Sequence, residues 1–193
     1  LEGIEFDTVF DAFSGTTRVS QYFASNGKRV IANDVSEWSY VFGYAYLMNN
    51  KPLKEYKELI DHLNNLNGRK GWFTENYGGD GIGKHPFHVK NTMKLDAIRS
   101  EIDLLGLDEL DRNVALTSLI LALDKVDNTL GHYAAYLKEW PNRAFKEMNL
   151  EIPHMIVNTR ENEVYKSDIL KFTSKEKYDL VYMDPPYGSN NEK

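Results

Sequence analysis

The feature that most constrains the fold is a strand–turn–helix–strand unit near the start of the chain. Residues 8–12 form a short apolar run ending in Phe13-Ser14-Gly15, and Val19, Tyr22 and Phe23 then recur at helical spacing between Thr17 and Asn26. Gly27 stands where a helix C-cap favours positive φ, and residues 29–33 read as a second buried strand ending at Asp34. A helical crossover of this kind joins parallel strands. The unit therefore predicts a doubly wound α/β sheet with its ligand site at the carboxyl ends of the strands.

Residues 36–50 predict an aromatic-rich helix, with Ser36 as N-cap and Trp38, Phe42 and Leu47 available for burial. Residues 53–66 predict an amphipathic helix, and residues 67–91, with six glycines, two histidines and Pro86, predict a long loop. Helical spacing resumes over residues 93–105, 107–127 and 133–148, with Pro141 near a helix start. Apolar strand patterns return only at residues 155–158, 164–166 and 178–183. The expected organisation is an α/β domain formed by residues 1–50 and 151–193, interrupted by a mostly helical insertion, 51–150.

Composition narrows the setting. No segment approaches the roughly 18 to 20 apolar residues of a membrane span, and no cationic-plus-apolar leader precedes the first strand. The chain has no cysteine, which removes any disulfide framework and any thiolate zinc site. His85, His88, His132 and His154 match no zinc spacing, so no metal is expected. These points predict a cytoplasmic protein without a membrane partner. A net charge of -6 argues against coating nucleic acid by bulk electrostatics, yet it allows cations to gather on one face. Leu1 in place of methionine, and a terminus at Lys193 just past the most informative motif, read as a chain incomplete at both ends.

Four motifs carry chemistry. The strongest is Asp184-Pro185-Pro186-Tyr187, directly after a strand expected to be buried. An amino nitrogen conjugated to an aromatic ring attacks a methyl group poorly until its lone pair is drawn out of conjugation. Asp184 can accept one N–H and the Pro185 carbonyl the other, which stabilises positive charge developing on that nitrogen. Pro185 and Pro186 hold the carbonyl rigid, and Tyr187 offers a flat face for an extruded base. The alternative is an ordinary strand-ending turn.

The second motif, Asp11-Ala12-Phe13-Ser14-Gly15, lets a ligand approach the backbone at a helix start. Alone it is equally a plain strand-to-helix turn. The third, Asn33-Asp34-Val35, places an acid where it can hold both ribose hydroxyls of an adenosine, with Val35 against the base. A helix cap and core packing are the alternatives. In the fourth, Asp168 can accept the amino group of a cofactor adenine with Ile169 against the ring, or it can simply cap a helix.

In order and content, these four motifs resemble the DNA adenine methylase family, specifically its alpha group, where cofactor motifs precede a recognition insertion and the Asp-Pro-Pro-Tyr motif follows it. The likeness is closest over residues 6–50 and 155–188, and residues 121–133 are also similar. It implies a Rossmann-like S-adenosylmethionine-dependent methyltransferase fold. S-adenosylmethionine would be held by Asp11, Ala12, Phe13, Ser14, Gly15, Asn33, Asp34, Val35, Asp168, Ile169 and Asp184. Asp184, Pro185, Pro186 and Tyr187 would bind and activate an adenine of duplex DNA, with a cognate restriction endonuclease as a functional partner. The family has a second glycine where this chain has Thr17. A silent DNA-binding module and a methyltransferase acting on RNA or a protein amide remain as alternatives.

Within the insertion, Arg69, Lys70, Lys84, Lys90 and Lys94 are interleaved with Trp72, Phe73, Tyr77 and Phe87, against only Glu75 and Asp80. That mixture suits a DNA surface, or equally a solvated loop anchored by its aromatics.

Overall fold

The computed structural model describes residues 3–131, 135–137, 139–156, 160–173 and 177–186. In chain order the elements are β1 (Thr8–Asp11), α1 (Arg18–Ser25), β2 (Arg29–Asp34), α2 (Glu37–Leu47), α3 (Lys57–Asn64) and α4 (Trp72–Tyr77). There follow β3 (Gly78–Gly79), β4 (Phe87–His88), α5 (Val89–Leu104), α6 (Glu109–Asp124), β5 (Glu163–Lys166) and β6 (Leu180–Tyr182). Two compact units result: Leu1–Lys51 with His154–Lys193, and Pro52–Pro153.

The first unit is a parallel sheet of order β5-β2-β1-β6. Alternation along β1 and β2 gives the sheet two apolar faces. Val9, Val30 and Ala32 are fully buried, and α1 and α2 pack on β2 and on each other. Helix α2 sits so close to β5 that a Cβ on Gly43 would come within 2.8 Å of Val164 Cγ1. On the other face, Phe10, Ala12 and Ile31 pack with Phe13, Ile169 and Phe172. The Phe10 ring stacks on Phe172 at 4.9 Å and lies 5.0 Å from Tyr178. An aromatic segment thus covers the face on which a doubly wound sheet would carry more helices.

Three expectations for this unit need correction. Trp38 is 46% exposed, touching Phe42 only edge-on, because it lies in the first turn of α2 on the outward side. Residues 155 and 156 form no strand, and 157–159 lie outside the described residues. The last strand pairs with β1 alone among the described residues, so its apolar run is not enclosed and Val181 is 42% exposed.

The second unit has its own core, in which Ile60, Leu63, Phe87, Ile98, Ile102, Leu119, Met148 and Leu150 are buried together. Asp108 caps α6 by accepting the Asp111 N–H at 2.8 Å, and Glu109 and Asp111 place negative charge in its first turn. A 3-10 turn over Leu53–Tyr56 replaces the expected start of the first insertion helix after Pro52.

Two longer segments depart from expectation. The predicted loop 67–91 contains α4, β3, β4 and the beginning of α5. Helix α4 is capped from a distance, since the Asp96 carboxylate accepts the N–H groups of Phe73 (3.0 Å) and Thr74 (2.8 Å) and the Thr74 hydroxyl (2.6 Å). The predicted helix 133–148 is absent among the described residues, which carry there a 3-10 turn, Asn142–Phe145. The Asn91 amide satisfies that backbone instead: Nδ2 donates to Lys146 O at 2.9 Å and Oδ1 accepts Met148 N–H at 3.0 Å. His132 lies outside the described residues.

The cation-and-aromatic tract divides as well. Arg69, Lys70 and Lys84 are exposed and Trp72 is 67% exposed, whereas Phe87 is core and Lys94 pairs with Glu147 at 3.2 Å.

Candidate functional site

The carboxyl ends of β1, β2, β5 and β6 open onto one cleft of about 440 Å³, within the ordinary range for small-molecule sites. The turn after β1 contributes Ala12, Phe13 and Gly15, and the end of β2 contributes Asn33, Asp34 and Val35. Beyond β5 come Ser167, Asp168 and Ile169, and beyond β6 come Asp184 and Pro186. Of the residues singled out in the sequence, Asp11, Ser14 and Pro185 do not line this cleft. Tyr187 lies outside the described residues.

The first turn is built by backbone geometry. Gly15 has φ +48° and donates its N–H to Asp34 Oδ2 at 2.9 Å, while Ser14 N–H donates to the Asn33 carbonyl at 2.8 Å. Thr17, fully buried, takes φ 61° at the start of α1, an unusual conformation for a β-branched residue. Gln21 Nε2 donates to its hydroxyl at 2.9 Å, and that hydroxyl donates to Thr16 O at 2.7 Å. The threonine therefore holds the left-handed backbone that a glycine adopts freely.

Asp11 sits beneath this turn, 1% exposed, and accepts the Ser20 hydroxyl at 2.6 Å, which ties β1 to α1. Burial pushes its carboxyl above the ordinary carboxylate value, opposed by hydrogen bonds from Ser20 and Phe13 and reinforced by the Asp34 charge. Its position makes it a support for the turn instead of a cleft-lining group.

Asp34 joins two turns. Oδ2 takes the Gly15 N–H, and Oδ1 takes both the Ser36 N–H at 2.9 Å and the Ser36 hydroxyl at 2.6 Å. Partial burial resists ionisation, but the hydrogen bonds from Ser36, Gly15 and Val35 outweigh it and hold the carboxyl below its ordinary range. Ser36 precedes α2 as expected, yet its hydroxyl serves Asp34 and not a helix N–H. The serine two residues after an Asp was a readable turn signal that the N-cap reading passed over.

The remaining turns are stitched to this one. Asn33 Nδ2 donates to Ser167 O at 3.1 Å, and Ser167 N–H donates to Asp34 O at 2.9 Å. Asp168 Oδ1 accepts the Leu170 N–H at 3.0 Å, so it shapes its own turn while facing the cleft. Val35 is 73% exposed and Ile169 is half-buried, which leaves two apolar surfaces available to a ring; Val35 is not core. The site thus combines an anionic acceptor at Asp34, apolar surfaces at Val35 and Ile169, and the exposed Asp184 and Pro186.

The chain is similar to several known proteins. The chain is 33% identical over 189 residues to the type II methyltransferase M.NlaIII of Neisseria lactamica, covering 95% of this chain and 57% of that protein. It is 33% identical over 199 residues to the modification methylase StsI of Streptococcus sanguinis, covering 95% of this chain and 30% of that protein. The type II methyltransferase M.FokI of Planomicrobium okeanokoites matches at 31% over 193 residues, 92% and 30% of the two chains. The chain therefore spans little more than half of the first of these relatives and about a third of the others. No solved structure matches it significantly. The model of D12 class N6 adenine-specific DNA methyltransferases matches residues 4–193, nearly the entire sequence, and the chain belongs to that family.

Proposed function

We propose that the protein transfers a methyl group from S-adenosylmethionine to the exocyclic amino nitrogen of adenine in duplex DNA, within a cytoplasmic restriction–modification system. The observation that carries this reading is the shared cleft: Asp184 and Pro186 open onto the same space as Asp34, Val35 and Ile169. The relatives' names, modification methylase and type II methyltransferase, support the setting and the cognate endonuclease.

The residues present suit the cofactor. Asp34 would accept from the ribose, Val35 and Ile169 would flank the adenine, Asp168 would accept its amino group, and the Gly15 turn would admit the amino-acid portion. Ala12, Phe13, Ser14 and Asn33 shape that turn and the floor beside it, and Asp11 supports it from below. The cofactor supplies a methyl group on a cationic sulfur that departs as a neutral thioether.

Asp184 and the Pro185 carbonyl would each accept one N–H of the target amino group. This draws the nitrogen lone pair toward the methyl carbon and stabilises the positive charge that grows as the N–C bond forms. The proton released on methylation leaves through Asp184 to solvent. Tyr187 would stack on the extruded base. The exposed Arg69, Lys70, Lys84 and Trp72 belong to the insertion, which we assign to target recognition through phosphate attraction and groove contact.

The test is transfer of a tritiated methyl group to unmethylated duplex DNA by the full-length protein, with nucleoside analysis. The expected product is N6-methyladenine. Asp184→Ala should lower transfer by roughly a thousandfold while sparing much of the cofactor binding; unchanged turnover would remove Asp184 from the mechanism.

A further inference from the structure

We infer that Ile82 is the wedge with which the insertion opens the base stack of a bound duplex. The inference rests on the protein acting on duplex DNA. Residues 80–86 leave β3 and return to β4, and the pairing of Gly78 with Phe87 and of Gly79 with His88 brings the ends of this loop together. Within the loop Ile82 is 76% exposed and stands between Gly81 and Gly83, which take φ 94° and 78°. Side chains rarely adopt that backbone, so the loop carries one apolar prong with bare backbone on either side.

An exposed isoleucine alone means little. This one differs because its backbone is firmly held although its side chain is not buried. Asp80 Oδ1 accepts the Ile82 N–H at 3.1 Å, and Trp140 Nε1 donates to the Gly83 carbonyl at 3.0 Å. The Phe145 ring lies against Gly81, where an added Cβ would come within 2.9 Å of Cε1, and His85 packs still closer to Gly79. Trp140, Phe145 and His88 pack on one another in turn, with ring centroids 5.6 to 6.2 Å apart. These contacts stabilise the presentation of Ile82 and not its burial. Little ordering of the loop is then left to oppose binding.

The surroundings select the partner. A single side chain flanked by glycines is far below the roughly 800 Å² that each partner contributes to a stable protein interface. It does match one base step, between whose bases apolar side chains such as isoleucine insert. Lys84 is exposed and carries no ion pair among the described residues, and Lys90 is exposed beside Phe145, to whose carbonyl it donates. Both suit the phosphates that flank a stack. The acid of the loop, Asp80, is engaged with the Ile82 N–H.

An enzyme that modifies a base must take it out of the duplex, at the expense of its stacking and pairing. Ile82, standing in the opened step, keeps the stack from closing. It is thus a positioning residue that touches no reacting atom.

Methyl transfer by the full-length protein to three duplexes tests this. They share its site and differ only opposite the target adenine, which faces thymine, a mismatched base or an abasic position. Ile82→Ala should slow transfer to the paired duplex about ten- to a hundredfold, and should come within about threefold of the wild type where the adenine is unpaired and needs less work to extrude. Ile82→Leu, which keeps an apolar prong, should retain most of the wild-type rate on all three. Ile82→Ala transferring at the wild-type rate to the paired duplex, or slowed equally on all three, would overturn the inference and leave the methyltransferase reading standing. No transfer by the wild type to any duplex would bring down both.

Discussion

The sheet unit and the insertion are held together by different means. In the sheet unit, backbone ladders carry the structure and side chains close its ends. Asn162, for example, accepts the Val30 N–H at 2.9 Å and donates to Leu47 O at 3.0 Å. In the insertion, side chains replace the ladders. Asn64 pairs with both backbone groups of Leu150 at 2.8 and 3.0 Å, Asn91 serves the stretch from Ala144 to Met148, and Asp96 caps α4. Asn128 donates to His85 O at 3.0 Å while its own N–H reaches Pro86 O at 2.7 Å. Backbone satisfied by backbone must repeat, and repetition is visible as period. Backbone satisfied by a distant side chain leaves no period at all.

The largest expected effect separates the two units by stability. Phe87→Ala removes a fully buried ring from the insertion core and should cost about 3 to 5 kcal/mol. Hydrogen exchange should then show the amides of α5 and α6 losing protection while those of β1 and β2 keep theirs. Parallel loss in both would break the comparison by showing one cooperative body.

Next in size is a pair of substitutions that sharpens it. Asn91→Leu strands three backbone groups, two buried and one part-buried, and should cost about 2 to 4 kcal/mol by urea unfolding. Asn162→Leu strands two and should cost less. The reverse ranking would mean that the sheet unit leans on its side-chain bonds as heavily as the insertion does.

A smaller effect is expected at Thr17. Glycine there removes about 1 kcal/mol or more of left-handed strain but gives up the Gln21 bond and adds unfolded-state entropy, so stability should move by less than about 1 kcal/mol. Thr17→Val keeps the strain and loses the hydroxyl, and should cost about 1 to 2 kcal/mol in the same melts.

The smallest effects concern pH, where neighbouring carboxyls act with opposite sign. Asp34 is depressed in the folded state, so its contribution is present above the ordinary value of 3.8 and fades as pH falls through its lower folded value. Asp11 is raised, so the penalty of ionising it is absent below 3.8 and grows as pH climbs through its higher folded value. Asp11→Asn should therefore gain on the wild type above that range and not below it, as urea midpoints between pH 3 and 7 would report. A constant difference across the range would assign the gain to packing alone.

Much of the sheet unit was legible because its constraints are local. The run into Phe13-Ser14-Gly15 gives β1 and the turn, Gly27 takes φ 76° as a helix end requires, and Asp34 follows the next buried strand. Converging motifs were also readable, since strand ends in a parallel sheet share an edge: Gly15, Asp34, Asp168 and Asp184 meet although far apart in the chain. What could not be read was orientation. Asp11 alternates to the face under the turn, a matter of strand register, and the Ser36 hydroxyl chose a carboxylate over a helix N–H. In the insertion, the glycines and histidines of residues 67–91 resembled loop composition because the cap for α4 lies on α5, at Asp96. The spacing of residues 133–148 mimicked a helix whose backbone Asn91 had already engaged.

An insertion sewn by amides also ages by them. Hydrolysis of the Asn91 side chain to a carboxylate keeps its shape but removes both donors, setting negative charge against the carbonyls of Ala144 and Lys146. The same change at Asn64 opposes a carboxylate to the carbonyl of Leu150. Stored protein should therefore lose the insertion's order before that of the sheet, in step with a gain of about one mass unit per altered side chain.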